Sequence, residues 1–275
     1  MSTFDYRRPR NLGEMTELLG RDDAVVLAGG TDLLVALRHH KVRPALVVDL
    51  KSVAEVGHEI EADGRRLRIG GRVVMSQLTG NDHVNTHFPA LGTAASVVGS
   101  VQIRNRATLA GNLCNASPAA DTVPALLAYA ATVTMSGPDG SRTVPVKEFF
   151  VGPGSTVLRH GEVVTEVELP IPTERVGSAF ARVTRRRGVD LASVNLACAL
   201  ERSGRARFGF GAVGPTPLVA ETTIDELADD AGWDRLLSVT SPISDVRAGA
   251  DYRRAMLRVH SKRALQAASD QLGAM

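Results

Sequence analysis

The run Ala24-Val-Val-Leu-Ala28 stops at Gly29-Gly30, and Thr31-Asp32 follow at once. Five successive apolar residues suit a buried strand. The glycine pair then predicts a tight turn, and Thr31 or Asp32 caps a helix through about His40, with Leu33, Leu34 and Leu37 on its apolar face. Pro44 ends that helix, and Ala45 to Leu50 reads as a second buried strand. A strand–turn–helix of this kind leaves backbone N–H groups free at the turn, which favours an anion, and its glycines let a ligand approach the backbone. No lysine stands in the P-loop position, so a nucleoside triphosphate with magnesium fits poorly. A pyrophosphate held by neutral backbone fits better. The same five residues, Ala28 to Asp32, would also serve an ordinary strand-to-helix turn.

Downstream, Asp63-Gly64 separates strands at about 58–62 and 66–70. A helix is predicted near 89–99. Thr122 to Ala131 is apolar all round, so its helix should be buried. Pro124 is tolerable there only in the first turn, which makes Asp121 or Thr122 the cap. Gly137-Pro-Asp-Gly140 is a further turn, and Glu162 to Leu169 reads as a strand. Pro170-Ile-Pro172 marks a domain boundary. It divides the chain into 1–172, itself two subdomains of about 1–56 and 57–172, and 173–275. In the second part, Val194 to Glu201 and Arg205 to Val213 flank Ser203-Gly204 as an antiparallel hairpin. Asp251 to Ala268 is predicted to be an amphipathic helix, with Tyr252, Met256 and Val259 on its apolar side and Arg253, Arg254, Arg258 and Lys262 on its wet side.

A second loop precedes the buried helix: Thr108-Leu-Ala-Gly-Asn112, continuing through Leu113-Cys-Asn-Ala-Ser-Pro-Ala-Ala-Asp121. Small side chains let a flat ligand lie on the backbone. Asn112 and Asn115 can donate or accept, and Ser117 can bond a phosphate oxygen. Asp121 suits a ribose diol, or equally a helix N-cap. Cys114 reads as a small packing residue, with a covalent link to a cofactor as the alternative. Two loops of this kind, in this order, fit a dinucleotide lying between two lobes.

Other features narrow the class. The net charge of +2 and 4% aromatic residues give no case for nucleic-acid binding. Two cysteines, Cys114 and Cys198, are too few for a structural zinc or an iron–sulfur cluster held by this chain alone. One disulfide between them remains open. The polar stretch Met1 to Arg10 lacks a signal core, and no apolar run approaches ~18 residues, so a cytoplasmic protein without a membrane span is expected. Gly209-Phe-Gly-Ala-Val-Gly214 matches G-x-G-x-x-G, but Pro215 and Pro217 prevent the helix that a dinucleotide fingerprint must open. His83 and His87 stand at i, i+4 without a third ligand, so no metal site is assigned. His39-His40 suits a helix end. Arg185-Arg-Arg187 is either a solvated turn or a contact for an anionic partner.

The segments AGGTDLL (28–34) and SVQIRNRATLAGNLCNASPAADTVPALLA (100–128) resemble the two flavin loops of the FAD-binding medium subunit of molybdenum hydroxylases, the xanthine and carbon monoxide dehydrogenase family. RRRGVDLAS (185–193), GAVGPTPL (211–218) and DVRAGADYRR (245–254) are similar to its C-terminal part, so the likeness runs from about Phe4 to Ala268. One departure is Ala110, where many members carry a second glycine.

The resemblance implies an α+β fold: a vanillyl-alcohol-oxidase-type FAD-binding domain of two subdomains, plus a C-terminal α+β domain of antiparallel sheet and helices. It implies FAD contacts at Leu27, Ala28, Gly29, Gly30, Thr31, Asp32 and Leu33, with Leu34 beside them. Thr108, Gly111, Asn112, Asn115, Ser117 and Asp121 would meet phosphate, ribose or adenine-side groups. Val98 would lie near the flavin or its ribityl chain, and Asp190 and Leu191 near the isoalloxazine. No catalytic acid or base is assigned, because the cofactor carries the redox chemistry. The implied partners are a molybdopterin-binding large subunit and a [2Fe–2S] small subunit, in a heterotrimer or its dimer, with NAD⁺, oxygen or another acceptor receiving the electrons. Such an oxidoreductase subunit is not expected to act on substrate alone. A stand-alone flavin oxidase or dehydrogenase, and a structural subunit that has lost flavin, are the alternatives.

Overall fold

The computed structural model describes residues 3–273. The N-terminal layer holds β1 (Asp5–Arg7), α1 (Leu12–Leu19), β2 (Ala24–Leu27), α2 (Leu33–Arg38) and β3 (Leu46–Asp49). The three strands form a parallel sheet in the order β1-β3-β2. Asn11 caps α1 through its side chain, which accepts from Glu14 N at 2.9 Å. Met15 and Leu19 pack on Leu46 and Val48 to close this small core. Helix α2 is shorter than the sequence predicts and is not ended by Pro44. His40 takes a left-handed φ of 55°, and Lys41 N–H turns back to Ala36 O at 2.9 Å, so the helix ends two residues before His40, well short of the proline.

The second layer begins with β4 (Ile60–Ala62) and β5 (Arg66–Gly70) and continues through helices α3 (Met75–Thr79), α4 (Asp82–His87), α5 (Pro89–Ser96), α6 (Val101–Arg104), α7 (Leu109–Cys114) and α8 (Thr122–Ala128). Strands β6 (Thr132–Gly137) and β7 (Gly140–Pro145), the small pair β8 (Phe150–Gly152) and β9 (Ser155–Thr156), and β10 (Val163–Pro170) follow. The main sheet is antiparallel in the order β4-β5-β10-β6-β7. The expected turn at Asp63-Gly64 forms, with Gly64 at φ +85° and Asp63 Oδ1 accepting from Arg65 and Arg66 N. Phe88, Leu91, Leu126 and Phe149 are fully buried beneath the helices, each stabilising by roughly 1.5–3 kcal/mol.

The C-terminal layer is the antiparallel sheet β11 (Gly177–Val183), β12 (Val194–Leu200), β13 (Arg205–Gly211) and β14 (Leu218–Thr223), followed by α9 (Asp230–Leu237) and α10 (Ala250–Gly273). Helix α8, buried along its whole length, lies between this sheet and the second layer. The glycines of the rejected fingerprint explain how it fits. A Cβ at Gly209 would sit 2.0 Å from Pro124 O, and one at Gly211 would sit 2.1 Å from Asn195 Oδ1. These glycines therefore let β13 approach α8 and Asn195, and no helix opens there.

Helix α10 is longer than predicted and turned differently. Arg253, Leu257, Ser261, Ala264 and Ala268 face inward, whereas Tyr252 is half exposed. Arg253 is buried because it has acceptors: Ser193 O at 2.6 Å, Ala212 O at 2.9 Å and Asp245 Oδ1 at 2.7 Å. Hydropathy placed it on the wet side, but a guanidinium with three partners can be buried. Both cysteines are free. Among the described residues, no helix is long and apolar enough to cross a membrane. The mixture of helices and largely antiparallel sheets is the α+β architecture that the sequence implied.

Candidate cofactor-binding site

Between β2 and α2 the chain makes no use of its own donors. Among the described residues, the N–H groups of Gly29, Gly30, Thr31, Asp32 and Leu33 reach no acceptor, and the first backbone bond of the helix start is Leu34 N to Gly30 O at 3.0 Å. Asp32 occupies the N-cap position, but its side chain caps nothing. Gly30 takes φ +79°, and a Cβ at Gly29 would lie 2.0 Å from Arg106 O and 2.7 Å from its carbonyl carbon. The first glycine is thus required by a neighbouring backbone, the second by its own conformation.

That neighbouring backbone leads into the second loop. Met75 N donates to Ala107 O at 2.9 Å and Leu109 N to Val73 O at 3.1 Å, which pins residues 107–109 to the segment before α3. Thr108 caps α7, its Oγ1 accepting from Gly111 N at 2.9 Å. Asn112 Oδ1 accepts from Thr122 Oγ1 at 2.7 Å, and Ser117 Oγ accepts from Ala119 N at 3.3 Å. Asn115 is exposed at the end of α7. Cys114 packs against the core, and loss of solvation pushes its thiol up to about 12. It therefore carries no thiolate at neutral pH, and packing is the role that fits.

The two loops border a cavity of about 70 Å³ lined by Ala28, Gly29 and Thr108 and by three cationic residues, Lys51, Arg72 and Arg106. Lys51 Nζ lies 2.8 Å from Asp49 Oδ1, and Asp49 also accepts from Tyr6 OH and from Lys51 N. Burial alone would raise the Asp49 carboxyl, but Lys51 and Tyr6 hold it below the usual carboxylate range. Arg72 donates to Lys51 O and approaches His58 Nδ1 at 3.1 Å, while its buried Nε has no partner among the described residues. The sequence reading missed these three cations. They come from three separate segments, and nothing local marks them. A larger cavity of about 210 Å³, beside Tyr129, Pro170 and Arg207, lies at the C-terminal end of α8 and touches none of the predicted site residues.

The remaining predicted residues gather elsewhere. Asp121 caps nothing, contrary to one of its two expected roles. Its Oδ2 accepts from Arg182 Nη1 at 2.7 Å and its Oδ1 from Asn195 Nδ2 at 3.0 Å. Burial still pushes the carboxyl above its ordinary value against those two partners. The same guanidinium reaches Val97 O, next to half-buried Val98, and Gly188 O, two residues from Asp190. Asp190 Oδ1 accepts from Leu191 N at 3.0 Å and from Arg185 Nη2 at 3.4 Å. Burial opposes its ionisation, yet these contacts hold its carboxyl below the ordinary range. Its buried Oδ2 has no hydrogen-bond partner among the described residues. Leu191 stays exposed. Of the predicted residues, Ala28, Gly29 and Thr108 line the cavity, while Val98, Asp121 and Asp190 lie on or beside the segments that Arg182 joins.

Residues 2–172 match the family model described as the FAD binding domain in molybdopterin dehydrogenase, and residues 179–268 match the CO dehydrogenase flavoprotein C-terminal domain. The chain belongs to this FAD-binding family. It is 32% identical to the xanthine dehydrogenase FAD-binding subunit of Escherichia coli O157:H7, over 96% of this chain and 95% of that one. It is also 32% identical to the carbon monoxide dehydrogenase medium chain of Hydrogenophaga pseudoflava, over 96% of each. A chain of the solved carbon monoxide dehydrogenase from Hydrogenophaga pseudoflava superposes with a TM-score of 0.90, at 32% identity over 97% of both chains. One from the quinoline 2-oxidoreductase of Pseudomonas putida 86 gives 0.88, at 29% identity over 98% of both. The protein is an FAD-binding oxidoreductase subunit of the xanthine and carbon monoxide dehydrogenase family.

The residues fit that cofactor. A row of five free N–H groups that starts at a cavity lined by cationic residues suits a doubly charged pyrophosphate. The missing Cβ at Gly29 lets the Arg106 carbonyl close against the first loop, which brings the two loops together. Among the described residues, no group of three or more His, Cys, Asp or Glu is placed to hold a metal ion. His83 and His87 only stack, with ring centroids 6.4 Å apart.

Proposed function

We propose that this FAD subunit relays electrons inside a larger molybdenum hydroxylase, beside a molybdopterin-binding large subunit and a [2Fe–2S] small subunit. The observation that carries the site assignment is the row of free N–H groups from Gly29 to Leu33. These groups, with Leu27 and Ala28 behind them, would hold the pyrophosphate, and Arg72 and Arg106 would balance its charge. Thr108 and Gly111 would shape the backbone on the opposite side, with Asn112, Asn115 and Ser117 offering polar atoms towards the adenine-side groups. Asp121 would contribute a fixed carboxylate edge. Val98, Asp190 and Leu191 would border the ring end. Bound FAD supplies the redox chemistry, accepting electrons from the partner's clusters and releasing them to NAD⁺, oxygen or another acceptor. The chain's own work is to bind, orient and tune that group. Two cysteines are too few to ligate two iron–sulfur clusters, which supports locating the clusters in a partner. We assign residues 1–172 to the FAD-binding domain, as subdomains of about 1–56 and 57–172, and 173–275 to the C-terminal domain.

Two measurements test this. The purified chain mixed with FAD should acquire a flavin absorbance band after desalting; a colourless chain would sink the cofactor assignment. Tagged and purified from its native source, it should bring down a molybdopterin-containing and an iron–sulfur-containing chain. Recovery alone, with full substrate turnover, would contradict the relay reading.

A further inference from the structure

We propose that Arg182 is the positioning residue that holds the loop 184–191 against the rest of the cofactor site. This rests on the reading that Val98, Asp121, Asp190 and Leu191 border FAD. Arg182 is the penultimate residue of β11, and only 14% of its side chain is exposed. Nη1 donates to Asp121 Oδ2 at 2.7 Å and to Val97 O at 3.1 Å, and Nη2 donates to Gly188 O at 3.2 Å. One guanidinium therefore joins three segments, each bearing a predicted site residue.

The loop has little else to hold it. Its internal bonds run from Thr184 to Arg186, Arg186 to Val189, Arg185 to Asp190 and within Asp190-Leu191. These shape the loop without fixing where it lies. Among the described residues, the bond from Arg182 to Gly188 O is the only hydrogen bond between residues 184–191 and any residue outside them. The anchor end is rigid. Asp121 is also gripped by Asn195, whose Nδ2 donates to Asp121 Oδ1 and approaches Ala119 O and Ala120 O at 3.3 Å. A planar fork with five donors can serve Asp121, Val97 and Gly188 at once. A lysine carries its charge on one compact head and cannot span them.

Three variants decide the matter, each tested as the FAD-loaded protein. Arg182→Lys keeps the charge beside Asp121 but gives up Gly188. D121N/R182Q makes the pair neutral, so no buried charge is stranded if a single change proves too harmful to folding. Arg65→Lys is a surface control. The readouts are trypsin cleavage after Arg185, Arg186 and Arg187, mapped by mass spectrometry, and the reduction potential of the bound flavin. In Arg182→Lys and in the double variant, cleavage in this loop should rise roughly fivefold to tenfold, while cleavage after exposed Arg21 stays constant. The flavin potential should move with it. Arg65→Lys should change neither. Wild-type loop cleavage together with a wild-type potential in Arg182→Lys would overturn the proposal, since charge alone would then suffice. A wild-type chain that takes up no FAD would instead sink the underlying site reading. The cleavage comparison on the unloaded protein would still report on the tether.

Discussion

In the first glycine loop, five successive N–H groups from Gly29 to Leu33 are left without acceptors among the described residues. In the second, Thr108 caps Gly111 N, Asn112 binds Thr122, and Asp121 is taken by Arg182 and Asn195. The first loop offers backbone, and its N-cap residue Asp32 caps nothing. The second ties Thr108, Asn112 and Asp121 into contacts within the protein and leaves Asn115 exposed. Their glycines differ accordingly. A Cβ at Gly29 would lie 2.0 Å from another backbone and Gly30 needs a left-handed φ, whereas the nearest atom to a Cβ at Gly111 is Thr108 Oγ1, at 2.8 Å. A free-donor loop depends on its glycines. A self-capped loop depends on its polar side chains.

The sharpest way to break this comparison is Gly29→Ala. The methyl would meet Arg106 O and its carbonyl carbon, and backbone atoms cannot rotate aside as a side chain can. Strain of about 1–3 kcal/mol must push the loops apart, so FAD affinity should fall by roughly tenfold to a hundredfold. Fluorescence titration with FAD measures it; an unchanged affinity would mean that the close approach of the loops is irrelevant to binding. Gly30→Ala comes next. Its Cβ would meet only the side-chain ends of Leu27 and Leu34, at 3.0 and 3.3 Å, which can yield. The cost is the left-handed φ, about 1–2 kcal/mol. Gly30→Asn should recover part of the loss, because asparagine tolerates that conformation; equal loss in both variants would point to space instead of φ.

These differences mark what could be read from sequence. The strand, turn and helix around Gly29 were legible because hydrophobic period and glycine punctuation are local signals. So was the hairpin at Ser203-Gly204, and so was the buried helix α8. Arg253 was misassigned, because burial of a charge depends on acceptors that arrive from Ser193, Ala212 and Asp245. Lys51, Arg72 and Arg106 were missed for the same reason: only the fold assembles them at one cavity. Asp121 was placed at the right helix start, but as a ribose contact or a helix cap, and it caps nothing. Its real partners lie on β11 and β12, more than sixty residues away in sequence. Local grammar predicts elements and cannot foresee which polar groups meet across domains.

On the second loop, Thr108→Ala should sharpen the contrast with the glycines. It removes the α7 cap, a loss of about 1 kcal/mol, or roughly 2–4 °C in Tm for a chain of this size. FAD affinity should change less than in Gly29→Ala, and Thr108→Ser should restore Tm. A larger loss of FAD than of stability would mean that the Thr108 hydroxyl faces the cofactor directly.

The smallest effect concerns Asp121. Burial raises its folded pKa despite Arg182 and Asn195. The folded state then holds this proton more tightly than the unfolded chain does. Stability from the group is fully present below the ordinary aspartate value, about 3.9, and is lost as pH rises through the raised folded value. Asp49 and Glu162 are held below the usual range, so they act in the opposite sense and lose stability as pH falls. In the wild type the two tendencies partly cancel during acidification. Asp121→Asn removes the one that favours low pH. The variant should therefore lose more Tm than the wild type between about pH 7 and about pH 4, whatever its starting stability. Parallel Tm curves would show that Asp121 ionises as readily in the fold as outside it, and the fixed carboxylate of the second loop would then carry no burial cost.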